Sequence, residues 1–466
     1  MQIAQSSYST RMMQKSRGWL LKNILLPAGD FVLGDGMMSR LRFLQQAQWW
    51  DRERLHAARD RALASVIKTA YEEVPFYRTL MDRASVQPED IRTAADLQRL
   101  PIVTKAMLKA GYPHLTCRKV NNKTYEASTS GSTGVNFRVL EDRATAGWYR
   151  ASFLLALNWA GWDFGERHLQ NGIALTRSLD KRLKDYLLGC YYVSAYDLTD
   201  AQLDRSLEML DRHRIEHLWG YPGSLCYLAR RAMEKGWNRP LRSLVTWGDN
   251  LYPHYRKTIE AAFNTQVLDT YGCSEGIQIS AQCGHGHAYH MHTLDVVVDF
   301  LDDKGNPVPA GQPGNLVLTR LHAGPMPLIR YQVGDVGVAA PEARMCACGR
   351  GFDLMLSIQG RDTDAVITPD GNRLIVHFFT GILEYFSEIG SFQVIQETID
   401  HVVIRVVPTR EFGSENRQRI IAALEKKGLT GMRVEIQSVE EIPLTAGGKR
   451  RFVVNKTLVS QKQGSA

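Results

Sequence analysis

Between about residues 140 and 270, helical stretches such as "DAQLDRSLEMLDRH" alternate with short apolar runs such as "HLWGY" and "SLVTWGD". That alternation predicts α/β layers. Residues 293–340 have a different pattern: "LDVVVDFLDDKGNPVPAGQPGNLVLTRL" flanks β-rich runs with turn signals, which predicts a hairpin-rich subdomain. Upstream, Leu63, Val66, Ile67, Ala70 and Val74 recur at helical spacing until Pro75 breaks the pattern, so a core-packed helix is expected there.

The stretch "GRDTDAVITPDGNRL" is polar and rich in turn formers. Beyond it, "SFQVIQETIDHVVIRVV", a helix over about 416–427 and "MRVEIQSVEEIP" predict a small α+β domain. The boundary is placed at Asp364, dividing the chain into residues 1–363 and 364–466.

A chain of 466 residues with 44% hydrophobic and 23% charged residues supports a large core and more than one domain. Its formal net charge of +8 favours anionic partners such as nucleotides, coenzyme A, nucleic acid or a membrane surface. No interleaved aromatic and basic tract accompanies that charge, so nucleic acid is not expected as a partner. Seven cysteines in so long a chain suit a reduced, cytoplasmic setting better than a disulfide framework. The first 29 residues carry Arg11, Lys15, Arg17 and Lys22 and no acid, without the apolar core and cleavage site of a secretory signal. No run approaches the ~20 apolar residues of a membrane span. "GWLLKNILLP" mixes bulky apolar residues with a cation, so a surface-lying amphipathic segment is one reading of it.

At Ser128 the chain reads "STSGSTGVN", small and hydroxylated residues able to wrap a phosphate, with no lysine among them. Four further stretches come after it in order: "DTYGCSEG", "RYQVGDVG", "IQGRDTD" and "PLTAGGKRR", each setting a charged or hydroxylated residue beside glycine. Separately, Cys283-x-His285 and Cys346-x-Cys348 offer three thiolates and an imidazole, the ligand set of a closed tetrahedral zinc site, with His287, His290 and His292 as alternative donors.

Together with "QWWDRERL", "EEVPFYR", "LPIVTKAML", "GYPGSL", "PLIRYQVGD" and "CACGR", these stretches make the sequence resemble the phenylacetate-CoA ligase family of adenylate-forming enzymes, and within it the CapK-like capsule-biosynthesis branch. The resemblance implies a large adenylate-forming α/β domain with a β-rich subdomain, and a small mobile α+β C-terminal domain hinged at Asp364. It implies activation of a carboxylic acid with ATP, release of pyrophosphate, and transfer of the acyl group from AMP to an acceptor. Coenzyme A, a carrier-protein thiol and an amine remain open as acceptors. A non-catalytic assembly protein that keeps the fold is a further reading, against which the presence of Lys449, Glu275 and Asp335 argues.

Carried onto this chain, the resemblance puts Ser130, Gly131, Ser132, Thr133 and Gly134 on the β- and γ-phosphates and makes Lys449 the missing cation. Glu275 becomes the Mg²⁺ ligand, with Tyr271 near the adenine and Ser274 near the phosphate or carboxylate. Asp269 and Gly272 of the same stretch, and Gly248, Asp249 and Asn250 of "TWGDN", are placed on the nucleotide side. Asp335 would accept from the ribose hydroxyls, and Arg361 would contact ribose or phosphate. Some members of this branch carry zinc at the place corresponding to Cys283, His285, Cys346 and Cys348. Two departures stand out: Val135-Asn136 where relatives have a residue and then proline, and Trp247 in the adenine-side stretch. Trp148, Tyr149 and Tyr221 fall in stretches like the family's acyl side, compatible with an aryl acid. A dimer is open.

Overall fold

The computed structural model describes residues 14–119, 124–129, 137–172, 177–195, 199–361, 366–370, 373–374, 379, 382–383, 386, 388–409, 412–443 and 451–457. The chain enters through a continuous helix α1 (14–33), whose middle turn Leu21–Leu25 is wound as a π-helix. α2 (Met37–Ala47), α3 (Arg52–Glu73) and α4 (Pro75–Arg83) come next. Asp51 caps α3 by accepting from the Arg54 amide at 2.7 Å, and Pro75 opens α4. The pattern break at Pro75 is thus a junction between two helices.

α5 (Lys105–Gly111) leads to a hairpin of β1 (Thr124–Thr129) and β2 (Phe137–Asp142), paired antiparallel from Thr124↔Asp142 to Thr129↔Phe137. α6 (Arg143–Trp159) then precedes the predicted alternation: β3 (His168–Gly172), α7 (Leu179–Leu188), β4 (Cys190–Ser194), α8 (Asp200–Arg212), β5 (His217–Gly220), α9 (Pro222–Glu234), β6 (Ser243–Thr246), α10 (Pro253–Phe263) and β7 (Val267–Cys273). After these come β8 (Ile277–Gln282), β9 (Tyr289–Met291), β10 (Val296–Leu301), β11 (Pro313–Arg320), β12 (Tyr331–Ala339) and β13 (Leu354–Arg361). The small domain holds β14 (Val366–Ile367), β15 (Arg373–Leu374), β16 (Ile389–Thr398), β17 (His401–Pro408), α11 (Ser414–Lys426), β18 (Arg433–Ser438) and β19 (Val453–Asn455).

The expected β-rich stretch supplies β10, β11 and β12 at the antiparallel edge of the large sheet. One sheet of 11 strands runs β10-β11-β12-β13-β9-β8-β7-β6-β5-β3-β4. Pairing is parallel from β4 to β7 and antiparallel from β7 to β10, so β7 is where the sheet changes character. On the parallel half, Leu203, Leu207, Leu225, Leu228 and Phe263 of the covering helices pack with Leu218 and Leu244 of the strands. Strands buried on both faces carry no polar alternation, which is why "HLW" and "SLVT" read as plain apolar runs. On the antiparallel half, Leu63, Ile67, Tyr77 and Met81 cover Leu318, Leu328 and Tyr331. Each fully buried side chain of this size contributes roughly 1.5–3 kcal/mol.

The C-terminal sheet has the order β18-β17-β16-β19, with α11 packing Ile420 and Leu424 on Val394 and Ile404. Tyr252, at the start of α10, joins that core, its ring edge-on to Phe452 at 5.6 Å. Among the described residues no helix is long and apolar enough to cross a membrane.

Candidate active site and metal cluster

The turn between β7 and β8 is built on Gly276, whose φ of +76° is left-handed. A Cβ there would lie 2.6 Å from the Glu141 carboxylate, so only glycine fits. This turn drives Glu275 inward to 2% exposure while Gly272 and Ser274 stay exposed. Glu275 Oε1 accepts from the Tyr331 hydroxyl at 2.6 Å and faces Lys105 Nζ at 3.2 Å. Burial alone would raise its pKa, but the Lys105 charge and the Tyr331 hydroxyl outweigh it and hold the carboxyl below the usual range.

The backbone carbonyl of Glu275 accepts from Arg320, which also pairs with Glu141 at 2.8 Å, both side chains 3% exposed. Glu141 lies on β2, so the hairpin flanking residues 130–136 is tied at its base to the turn bearing Glu275. Lys105 had no role assigned from sequence. The signal was its place in "LPIVTKAML", where Thr104 caps α5 by accepting from the Met107 amide at 3.3 Å and sets the lysine in the first turn.

Tyr271 and Asp335, distant in sequence, meet: the tyrosine hydroxyl donates to Asp335 Oδ2 at 2.6 Å. Asp335 on β12 stands in register with Arg361 on β13. Gly248 has φ of +75°, and a Cβ on it would come within 2.7 Å of the Tyr221 ring. Asp249 is exposed beside it and accepts from the Asn250 amide at 2.9 Å, while Trp247 sits edge-on to Phe153 at 5.6 Å. Trp148 is stacked on His322 at 3.7 Å.

Asp269 departs from the expectation of a nucleotide contact. Its carboxylate is buried and accepts from Thr246 Oγ1 at 2.5 Å and the Tyr289 hydroxyl at 2.6 Å, clamping β6, β7 and β9 together. Burial pushes its pKa up to about 6 despite these donors. Ser130, Gly131, Ser132, Thr133, Gly134, Asp364 and Lys449 lie outside the described residues, as does the Arg361 side chain.

Cys283, His290, Cys346 and Cys348 bring one donor atom each within 4.8 Å of one another. The fourth donor is therefore His290 and not His285. Cys283 directly follows β8 and His290 lies on β9 opposite Ala281, so antiparallel pairing places them together. His285 is exposed in the intervening turn and gives Cys283 only its backbone amide. Cys283 and Cys346 sulfurs are 3.6 Å apart, and His290 Nε2 is 3.4 Å from both Cys283 and Cys348 sulfurs. Those edges suit a tetrahedral ion with Zn–S near ~2.3 Å, which sets sulfurs about 3.8 Å apart. Burial lowers the His290 pKa to about 4, keeping the imidazole neutral as a ligand must be.

The AMP-binding enzyme family model matches residues 188–323, and the CapK C-terminal domain model matches residues 366–456. The chain is 25% identical over 449 residues to the phenylacetate-coenzyme A ligase of Thermus thermophilus, covering 87% of this chain and 97% of that one. It is 22% identical over 398 residues to Protein CapK of Staphylococcus aureus, covering 82% and 84%. In three dimensions it overlays 2-hydroxyisobutyryl-CoA ligase in the postadenylation state with a TM-score of 0.70 at 19% identity, covering 90% of this chain and 94% of that one. The same ligase in the thioesterification state gives 0.56. The glycine turn that buries Glu275 and the Tyr271–Asp335 pair stand beside these matches: the chain has the fold of adenylate-forming enzymes, carries an AMP-binding enzyme match and a CapK C-terminal domain match, and is similar over most of its length to phenylacetate-CoA ligases and to CapK.

Proposed function

We propose that this protein converts a carboxylic acid and ATP to an acyl-adenylate and pyrophosphate, then passes the acyl group to the thiol of coenzyme A. The observation that carries this reading is the buried, ionised Glu275 held beside Lys105 and tied through Arg320 and Glu141 to the hairpin flanking residues 130–136. A carboxylate and a cation kept together, and tied to the base of the hairpin on which the Ser/Thr/Gly stretch is carried, suit a triphosphate, where both phosphate charge and its counter-charge must be held.

In this reading Ser130, Gly131, Ser132, Thr133 and Gly134 supply hydroxyl and backbone donors to the β- and γ-phosphates. Glu275, an ionised hard oxygen donor, would hold Mg²⁺, which neutralises phosphate charge when bound. Asp335 accepts from the ribose hydroxyls with Tyr271 fixing one of its oxygens. Gly248, Asp249 and Asn250 line the nucleotide side, and Arg361, whose backbone pairs in register with Asp335, contacts the ribose or phosphate. Lys449, brought by the small domain turning at Asp364, offsets the charge that builds on the α-phosphate. Cys283, His290, Cys346 and Cys348 would hold a structural zinc that joins the β8–β9 hairpin to the 340–353 loop.

Trp148, Tyr149 and Tyr221 favour an aryl acid, although Trp148 is engaged by His322. The CapK-type C-terminal domain supports a second reading in which the acceptor is an amine or a carrier protein. Pyrophosphate exchange over a panel of aryl and aliphatic acids tests the first half-reaction without knowledge of the acceptor. Exchange with an aryl acid, followed by consumption of coenzyme A thiol, is expected. No exchange with any acid would leave the assembly-protein reading in its place.

A further inference from the structure

The N-terminal helix carries none of the candidate site residues, and it exposes a run of bulky apolar side chains. Trp19, Leu20, Ile24, Leu25, Phe31 and Val32 are all exposed, Phe31 by 92% and Val32 by 79%. Leu20, Ile24, Ala28 and Val32 recur every four residues, so they form one stripe along a helix of roughly 30 Å. A second stripe stands beside it on α7, where Leu179, Leu183, Tyr186 and Leu187 are exposed by 81%, 60%, 77% and 43% and no residue is buried. Arg17 holds the two helices together by donating to the carbonyls of Tyr186 and Leu187, the negative end of α7.

Between α1 and α7 lies a cleft of about 1030 Å³ lined by Arg17, Arg167, Arg177 and Arg182. Its one acid, Asp185, is taken up by Arg177 at 2.6 Å. Lys15 on α1 and Lys181 and Lys184 on α7 add to the positive rim, and α1 has no acid before Asp30. Exposed bulky apolar side chains in such number on two neighbouring helices mark a contact surface, and a second copy of this chain would bring the same cations against each other.

We infer that α1 and α7 form a docking face for an anionic lipid bilayer, with the apolar stripes at the acyl boundary and the arginine cleft against headgroup phosphates. Trp19 and Tyr186 are amphipathic rings of the kind that settle at that boundary. The cations supply attraction to negative lipid, and the stripes supply burial. This face is independent of the ligase reading.

The test is co-sedimentation of the full chain with vesicles of phosphatidylcholine alone and of phosphatidylcholine mixed with about one third phosphatidylglycerol. The wild type should partition onto the anionic vesicles and stay off the neutral ones. The double variants Ile24→Asp with Leu183→Asp, and Lys181→Glu with Arg182→Glu, should each lower that partition by roughly tenfold or more. All four positions are exposed, so both variants should keep the wild-type unfolding midpoint. Absence of wild-type binding, equal binding to both vesicles, or a fall in only one variant overturns the combined apolar and cationic footprint. A wild-type dimer that the Ile24→Asp, Leu183→Asp variant dissociates would make the face a contact between copies, and also overturns it.

Discussion

Replacing Lys105 by methionine should expose how the candidate site keeps Glu275 charged. The lysine ammonium lies 3.2 Å from a carboxylate that is 2% exposed. At an effective dielectric of 20 that distance corresponds to about 5 kcal/mol, a ceiling, because the lysine side chain is itself 31% exposed and partly screened. A net coupling of about 1–3 kcal/mol remains after that discount. Spread over a domain this large, the loss should lower the unfolding midpoint at neutral pH by roughly 1–4 °C. The sign with pH comes from the direction of the shift. Glu275 is held below its unfolded value, so its contribution is present above the usual carboxylate range and is lost as pH falls through the folded value. The gap between wild type and Lys105→Met should therefore be widest near neutrality and close toward acid, where Glu275 is protonated in both. Thermal unfolding from acid to neutral pH, on a cycle of Lys105→Met, Glu275→Gln and the double variant, reads both quantities. A coupling below about 0.3 kcal/mol, or a gap that does not vary with pH, would refute the pairing.

His290→Ala and Cys348→Ser should each lose most of about one zinc per chain and lower stability, whereas His285→Ala should keep both by elemental analysis; equal loss in all three would return the site to an unspecified histidine. Lys449→Ala should lower pyrophosphate exchange by roughly a hundredfold, about 3 kcal/mol, while transfer from synthetic acyl-adenylate stays near wild type. Equal losses in the two assays would make Lys449 structural or active in both steps. Tyr271→Phe removes the hydroxyl that holds Asp335 and should raise the KM for ATP by roughly 3- to 10-fold at little change in kcat, about 0.7–1.4 kcal/mol, the net worth of one ordinary hydrogen bond. An unchanged ATP saturation curve would detach this pair from the nucleotide.

Much of the architecture was legible because it is local. The helix-strand alternation from α6 to β7, the junction at Pro75 and the strand pair, helix and strand of the small domain all arise from periodicity and turn chemistry read within short windows. The glycine at 276 was legible as part of a motif, and the structure supplies its cause in the left-handed turn and the nearby Glu141 carboxylate.

What periodicity left open was which distant segments meet. The β-rich stretch could not be seen to continue the parallel sheet, because strand order depends on how β7 pairs on both edges. Lys105 reaches Glu275 across 170 residues of chain by the packing of α5 on the sheet, with no spacing rule to announce it. "CGHGHAYHMH" offers four histidines of like chemistry, and only the register of β8 with β9 sets His290, rather than His285, beside Cys283. Asp269 stands in the glycine-bearing stretch "DTYGCSEG", yet Thr246 and Tyr289 take its carboxylate because β6 and β9 converge on it. Residue types and spacing determine the chemistry a chain can offer, since they act through neighbours in sequence. Which of those groups are brought together, buried or used up is decided by long-range pairing, where side chains far apart in sequence compete for the same space.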